Sequence, residues 1–474
     1  MPAMGSETQS PPALSPRLAR FTVELDAGAI PPAVLTHAAL CILDSTGIAL
    51  AAHAYPFGRR ALAAARALGG SGPSPVIGAA GGLPLRDAAL VNGTLIHSLD
   101  FDDTHVAAVV HCSASAWPVA FNLGHARGVS GREALAAYVL AVELDARIGE
   151  VAAGGLQKRG FHPTGIVGAF GAAAAAARLS GLDAARSAHA LGIVLSFASG
   201  SMAFVADGAW TKRLHPGWAA HAGITAAAFA AADYVGPAAP LEGRFGLYET
   251  LLGADATPAL DTFGNDLGSD WRTLGVAFKP YPACHFNHAF AECALALRTA
   301  GLHAADVARI TALVHPDQVP VVCEPLAAKQ APANAYEAQF SVPWIVAASL
   351  CHGRFTLAEL EDAARADTET RALAARVDYA SDPDSRYPAY YSGGLVVETH
   401  DGRTLRHHVA VNRGARERPM SEQEILDKFH ANAARSIPRD AAERIVDGVL
   451  GLADAPTLDS LAAALARDAR AAAT

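Results

Sequence analysis

Gly394-Leu395-Val396-Val397-Glu398-Thr399-His400-Asp401-Gly402-Arg403, running on to Val411, decides how this chain must be built. Two β-rich runs meet across Asp401-Gly402, and an Asp-Gly pair between such runs predicts a tight hairpin. Ile310 to His315 alternates like a further strand, while Pro282 to Leu302 reads as a helix. Residues 272–419 therefore read as a small α+β domain. Outward in both directions the pattern is helical. From 17 to 271, Pro31-Pro32 opens a helix through Leu50, Ser130-Gly131 precedes one running toward Val151, and Leu182-Asp183 precedes one through Ser196. Beyond the hairpin, Ser421-x-x-Glu424 is a capping box, and Pro438 and Pro456 each start a further helix. The expected fold is mainly α. A large all-helical domain comes from both chain ends (17–271 and 420–474), the smaller α+β domain is an insertion between them, and residues 1–16 form a disordered tail.

The 474 residues suffice for two or three domains at roughly 100–200 residues each. Lys and Arg number 37 against 46 Asp and Glu, with no basic run to track a phosphate backbone, which argues against nucleic acid. An anionic substrate must then be met by local positive charge. Cysteines 41, 112, 284, 293, 323 and 351 form no C-x-x-C pair, so neither a zinc ribbon nor a disulfide framework is expected, and a reducing cytoplasm fits. The N-terminus lacks a cationic start followed by an apolar run. Apolar stretches such as Gly165 to Leu179 fall short of the ~20 residues of a membrane span, so no membrane association is expected.

Four polar segments could carry chemistry. The first is Asn92-Gly93-Thr94 through His97-Ser98-Leu99-Asp100-Phe101-Asp102-Asp103-Thr104-His105, followed by His111. On a helix, His97, Asp100 and Thr104 would share a face. Asp100, Asp102 and Asp103 repel one another and need a cation, a metal or a proton held at raised pKa. A solvated capping turn is the plainer reading, but the apolar flanks favour a buried site. The second segment, Lys158 to Gly165, sets His162 at a helix start, where backbone N–H groups can face an anion or the ring can simply pack. In the third, Lys212-Arg213 between Trp210 and Trp218 is a carboxylate clamp or a solvated pair.

The fourth runs from Phe278 to His288, where Pro280 and Pro282 would place Cys284, His285 and His288 within one helical turn. Cys284 and His288 at i, i+4 invite a metal reading. Carboxylates select hard cations and thiols soft ones, however, and the spacing matches no H-E-x-x-H, so no metal is expected. D-D-x-x-D is broken by His105 and Val106, and no dinucleotide, phosphate-loop or serine-elbow motif occurs.

Taken in order, Asn92-Gly93-Thr94, His97 to Thr104, Gly160-Phe161-His162-Pro163-Thr164-Gly165, Thr211-Lys212-x-x-His215-x-Gly217 and Lys279-Pro280-Tyr281-Pro282-x-Cys284-x-x-x-His288 resemble the MmgE/PrpD family. The resemblance spans nearly the whole chain after residue 17. It implies that the inserted α+β domain is a lid on the helical domain, and that the protein is a cofactor-independent enzyme, usually a homodimer, acting on a small di- or tricarboxylate. The family includes 2-methylcitrate dehydratase, cis-aconitate decarboxylase and iminodisuccinate epimerase. Its catalytic positions match Asp100, Thr104, His111, His162, Lys212 and His288. In this chain Trp344 stands where the decarboxylase branch has a tyrosine, and the missing hydroxyl argues against cis-aconitate decarboxylation; His105 stands where tryptophan is common, and Cys112 where proline is common.

The expectation is a lyase that abstracts a proton next to a carboxylate, in the manner of 2-methylcitrate dehydratase. Alternatives are epimerisation of an amino-dicarboxylate derivative, cis-aconitate-type decarboxylation, a metal-dependent hydrolase, and a non-catalytic acid binder. His111 and His162 would move protons, Asp100 would orient an imidazole or hold the lysine, and Lys212 would stabilise developing charge. Thr104, Lys279 and Trp344 would contact substrate, and His288 would arrive with the lid.

Overall fold

Small side chains set the spacing of the helices. The computed structural model describes residues 14–253, 260 and 263–466, so most of the expected tail lies outside the described residues. The main helices of the N-terminal part are α1 (Pro32–Ala52), α2 (Leu85–His97), α3 (Ser113–Arg127), α4 (Gly131–Ala152), α5 (Pro163–Leu179) and α6 (Thr211–Ala231). A Cβ on Gly93 of α2 would lie 2.7 Å from the Gly217 Cα of α6, and one on Gly217 would lie 2.1 Å from the Leu90 carbonyl oxygen. Glycine at both positions lets α2 and α6 touch backbone to backbone, bringing Lys212 toward the acidic segment.

One expectation fails at α1. This helix has the 21 residues and the apolarity of a membrane span, contrary to the expected absence of so long a stretch. It is spent inside the bundle, where 83% of its apolar window is buried against α2, α4 and helices from the chain's other end.

After residue 271 the chain forms one short strand that pairs back onto the N-terminal part, and a sheet. β1 (Thr104–His105) pairs antiparallel with β2 (Val276–Ala277), Thr104 opposite Ala277. The sheet consists of β3 (Val307–Val314), β4 (Val377–Ser381), β5 (Gly393–Thr399) and β6 (Thr404–Val409), in the order β4-β3-β5-β6. Only β3 and β4 are parallel. The expected hairpin is β5–β6, with Gly402 at φ +85° in its turn. Helices α7 (His288–Thr299) and α8 (Val342–His352) pack on each other, and α7 lies on β5 and β6. The helix expected from Pro282 begins only at His288, because Cys284 is extended and His285–Asn287 forms a 3-10 turn.

Ser421 makes the expected capping box at the start of α9 (Glu422–Ala433), and α10 (Arg439–Leu450) follows Pro438. The last helix among the described residues starts at Asp459, three residues after Pro456. Phe429 of α9 and Val449 of α10 share one apolar core with Val34, Leu35 and the other N-terminal helices. A second core joins the sheet, α7 and α8 to Ile48, Leu99, Phe101 and Phe204. The acidic segment lies where these two cores meet.

Candidate active site

α2 ends at His97 and the chain turns sharply, with Asp100 at φ +49° in the left-handed region that side chains seldom adopt. Thr104 already belongs to β1. His97, Asp100 and Thr104 therefore do not share a helix face, contrary to expectation. The turn sends three buried carboxylates in three directions, and each finds a different partner.

Asp100 accepts from Lys212 Nζ at 2.6 Å on Oδ2 and from Lys279 Nζ at 2.5 Å on Oδ1. Burial pushes its pKa up, but the two ammonium groups hold it well below the ordinary carboxylate range. Asp102 accepts from His97 Nδ1 at 2.8 Å. Asp103 accepts from the Ser113 hydroxyl and, at 3.2 Å, from the Ser113 backbone N–H, and burial pushes its pKa up to about 7. Lys279 is fully buried; burial lowers its pKa, but Asp100 and Asp102 outweigh that and raise it.

Three imidazoles gather beside these carboxylates. Ring nitrogens of His97, His111 and His162 lie within 4.8 Å of one another, a composition that could also hold a transition metal. His111 Nδ1 is 2.8 Å from the Asp103 carbonyl oxygen. A carbonyl only accepts, so Nδ1 carries the proton and neutral His111 keeps a basic Nε2. The same logic applies to His97 against Asp102, and His97 Nε2 is buried without a hydrogen-bond partner. His162 Nδ1 lies 3.1 Å from His215 Nδ1, an arrangement in which the two rings share one proton. Burial lowers the pKa of His111 and His162 well below the usual value, followed by the charges of Lys279 on the first and Lys212 on the second. Both are neutral in the unliganded protein.

Asp100, Thr104, His111, His162 and Lys212 line one cavity of about 470 Å³. Cys284, His285, Phe340 and Tyr391 also stand on its wall. Three expected substrate contacts stand elsewhere. Lys279 lies behind Asp100 and not on the wall. His288 also misses the wall, because the 3-10 turn puts His285 there instead; the His288 ring packs 4.6 Å behind His285, with Nε2 3.2 Å from the Ala283 carbonyl oxygen. Asn412 Nδ2 lies 2.8 Å from His285 Nε2 and fixes that ring. Trp344 sits fully buried in the sheet-side core and donates to the Glu359 carbonyl at 3.2 Å. Trp344→Phe is accordingly expected to lower unfolding free energy by about 1–3 kcal/mol while leaving KM within roughly twofold, as urea melts and steady-state kinetics would show.

His97, His215 and His285 stand in the sequence motifs, but the motifs alone give them no role. His215 was recoverable, since it stands three residues from Lys212 on α6 and shares its face. Tyr391 had no local signal, because it reaches the cavity from the loop before β5.

Nine histidines (37, 97, 105, 111, 162, 215, 221, 285 and 288) have lowered pKa values, chiefly through burial. Against them, burial raises four carboxylates, Asp44, Asp103, Glu143 and Asp145. A depressed histidine contributes stability that is present above its unfolded pKa and lost as pH falls through its folded pKa. A raised carboxylate does the opposite, losing its contribution as pH rises. Because the histidines outnumber the carboxylates, the unfolded chain binds more protons between pH 6.5 and 5. Tm is expected to fall steadily from pH 7 to 5. His105 and His288, each lowered to about 3, would contribute on the order of 2 kcal/mol apiece to that loss at pH 5.

The family model for the MmgE/PrpD N-terminal domain matches residues 16–259, and that for the C-terminal domain matches 281–452. The chain belongs to the MmgE/PrpD family. Human cis-aconitate decarboxylase is 31% identical over 387 residues, which cover 78% of this chain and 77% of the human protein. A cis-aconitate decarboxylase-like protein, oryM, of Aspergillus oryzae is 28% identical over 466 residues, 94% of this chain and 96% of the relative. The 2-methylcitrate dehydratase of Cupriavidus necator is 30% identical over only 179 residues, 35% of this chain and 36% of the dehydratase. In this MmgE/PrpD protein both matched domains build the cavity. The N-terminal one supplies Asp100, Thr104, His111, His162 and Lys212, and the C-terminal one supplies Cys284, His285, Phe340 and Tyr391.

Proposed function

We propose that this protein is a lyase that removes CO2 from a small unsaturated tricarboxylate of the cis-aconitate kind. The observation that carries the reading is Lys212 on the wall of a small cavity that also holds neutral His111 and His162. A carboxylate entering there would compete with Asp100 for the ammonium. Its negative charge would also raise the depressed imidazole pKa values toward neutrality, so that binding draws a proton onto a histidine. CO2 would then leave, its bonding pair would stay on the organic fragment, and a carbon would take the proton from the imidazolium. Lys212 would stabilise the charge developing on a remaining carboxylate. The extent of the match to cis-aconitate decarboxylases favours this reaction over the dehydration expected from the motifs.

Dehydration of a hydroxytricarboxylate is the second reading. It is favoured by His111 and His162 standing together, ring centroids 6.1 Å apart, so that one can take a carbon proton and the other protonate the departing hydroxyl. In either reading the sheet-bearing region works as a lid over the bundle, no metal takes part, and the setting is cytoplasmic. A homodimer fits too, since Leu214, Trp218 and Phe229 leave an apolar stripe exposed along α6.

NMR of the protein with cis-aconitate, 2-methylcitrate and an amino-dicarboxylate in D2O separates the readings. CO2 release with solvent deuterium in the product supports decarboxylation. Alkene formation from 2-methylcitrate supports dehydration, and inversion supports an epimerase. Ligand binding with neither turnover nor deuterium uptake identifies a non-catalytic binder, and loss of turnover on chelator treatment overturns the metal-free mechanism.

A further inference from the structure

A second cavity of about 930 Å³ lies directly behind the first. Three pairs of consecutive residues divide between the two. Asp100, Lys212 and Phe340 line the first, while Leu99, Arg213 and Gln339 line the second. At each of these points, neighbouring residues of one segment face different cavities.

Arg213 is the charge that this second cavity leaves unanswered. It is 4% exposed, and its guanidinium lies between the Phe57 and Tyr336 rings at 4.3 and 4.2 Å. Nε donates to the Ser98 carbonyl at 2.7 Å, while Nη1 is buried without a hydrogen-bond partner. Among the described residues no carboxylate lies within ion-pair distance of it. The two acids on the cavity wall are already matched, Glu361 with Arg435 at 3.4 Å and Asp362 with Arg365. A buried cation costs several kcal/mol in lost hydration unless an anion compensates, and a guanidinium fork fits a carboxylate. Around it the wall is mostly apolar, with Phe57, Leu357 and Leu360.

We propose that this second cavity is a binding site for a monocarboxylate with an apolar body. The carboxylate sits on Arg213, and an acyl or aryl tail lies along Phe57, Leu357 and Leu360. One cation without an ion-pair partner, on a mostly apolar wall whose two acids are already paired, suits a single carboxylate, whereas the first cavity, with Lys212 and several imidazoles, suits a polycarboxylate. The site is independent of which reaction the first cavity runs.

Isothermal titration calorimetry of the full-length protein with octanoate tests it. Octanoate is expected to bind, and octanamide, which has the same tail without the charge, to bind about tenfold or more weakly, the loss expected for a charge-assisted hydrogen bond. Saturating citrate is expected to leave octanoate binding in place, because the two cavities are separate. Ala363→Trp adds bulk from an exposed position on the cavity wall and is expected to abolish binding with Tm unchanged. Arg213→Met should lose it as well; should that variant not fold, Ala363→Trp carries the test. Absence of octanoate binding, equal affinity for octanamide, displacement by citrate, or unchanged binding in Ala363→Trp would each overturn the proposal.

Discussion

Asp100→Ala is expected to cost the fold about 3–5 kcal/mol and to abolish turnover, the destabilisation typical when one partner of a buried ion pair is removed. Two cations depend on this carboxylate, Lys212 at 2.6 Å and Lys279 at 2.5 Å, and Lys279 is fully buried. Without Asp100 their ammonium groups face each other with little compensation, and deprotonation of one becomes the cheapest escape. The stability deficit should therefore shrink as pH rises from 7 toward 10, which urea melts at the two pH values would detect. Asp100→Asn separates charge from shape, because asparagine tolerates the left-handed φ of +49° that this turn requires. It should keep the backbone and still lose most of the activity. A stability deficit below about 1 kcal/mol in Asp100→Ala would show that the lysines find other partners, and the electrostatic account of the site would be wrong.

His162→Ala should lower kcat by roughly 10²–10⁴, the usual range for loss of a general acid–base group, with the fold intact. His162 lines the cavity at the N-cap of α5, where its backbone N–H bonds to the Gly200 carbonyl and its side chain makes no cap. Removal of the ring therefore leaves the helix start in place. His215→Phe is the informative companion. His215 acts on His162 by sharing a proton across 3.1 Å, so its loss should move the pH profile of kcat more than it moves KM. Turnover of His162→Ala within a few-fold of the parent, with circular dichroism unchanged, would remove His162 from the proton-transfer pair.

The division between legible and hidden parts of this molecule follows the range of the interactions involved. Helix starts at Pro31-Pro32, Ser130 and Ser421, and the hairpin around Gly402, could be read in advance because capping and turn geometry act over three or four residues. The polar segments around Asp100, His162 and Lys212 stand out for a related reason, since charged and imidazole groups amid apolar neighbours need partners, and the resemblance to the MmgE/PrpD family then picks Asp100, Thr104, His111, His162 and Lys212 out of them. Where those partners come from was not legible. Nothing local says that Lys279 reaches Asp100 from 179 positions away, that His285 rather than His288 faces the cavity, or that Trp344 is core.

By itself, then, the sequence determined a helical protein with an inserted sheet, a family, and a set of residues too polar to be buried alone. Tertiary structure decided which of them meet. It stopped α2 at His97, turned Asp100 left-handed, and gave each of three neighbouring aspartates its own partner. It also set Arg213 on a cavity wall with no carboxylate within ion-pair distance among the described residues. The physical reason is that a buried charge is stabilised only by what packing places within a few ångströms of it, and in this chain those groups come from both matched domains and from the segment between them.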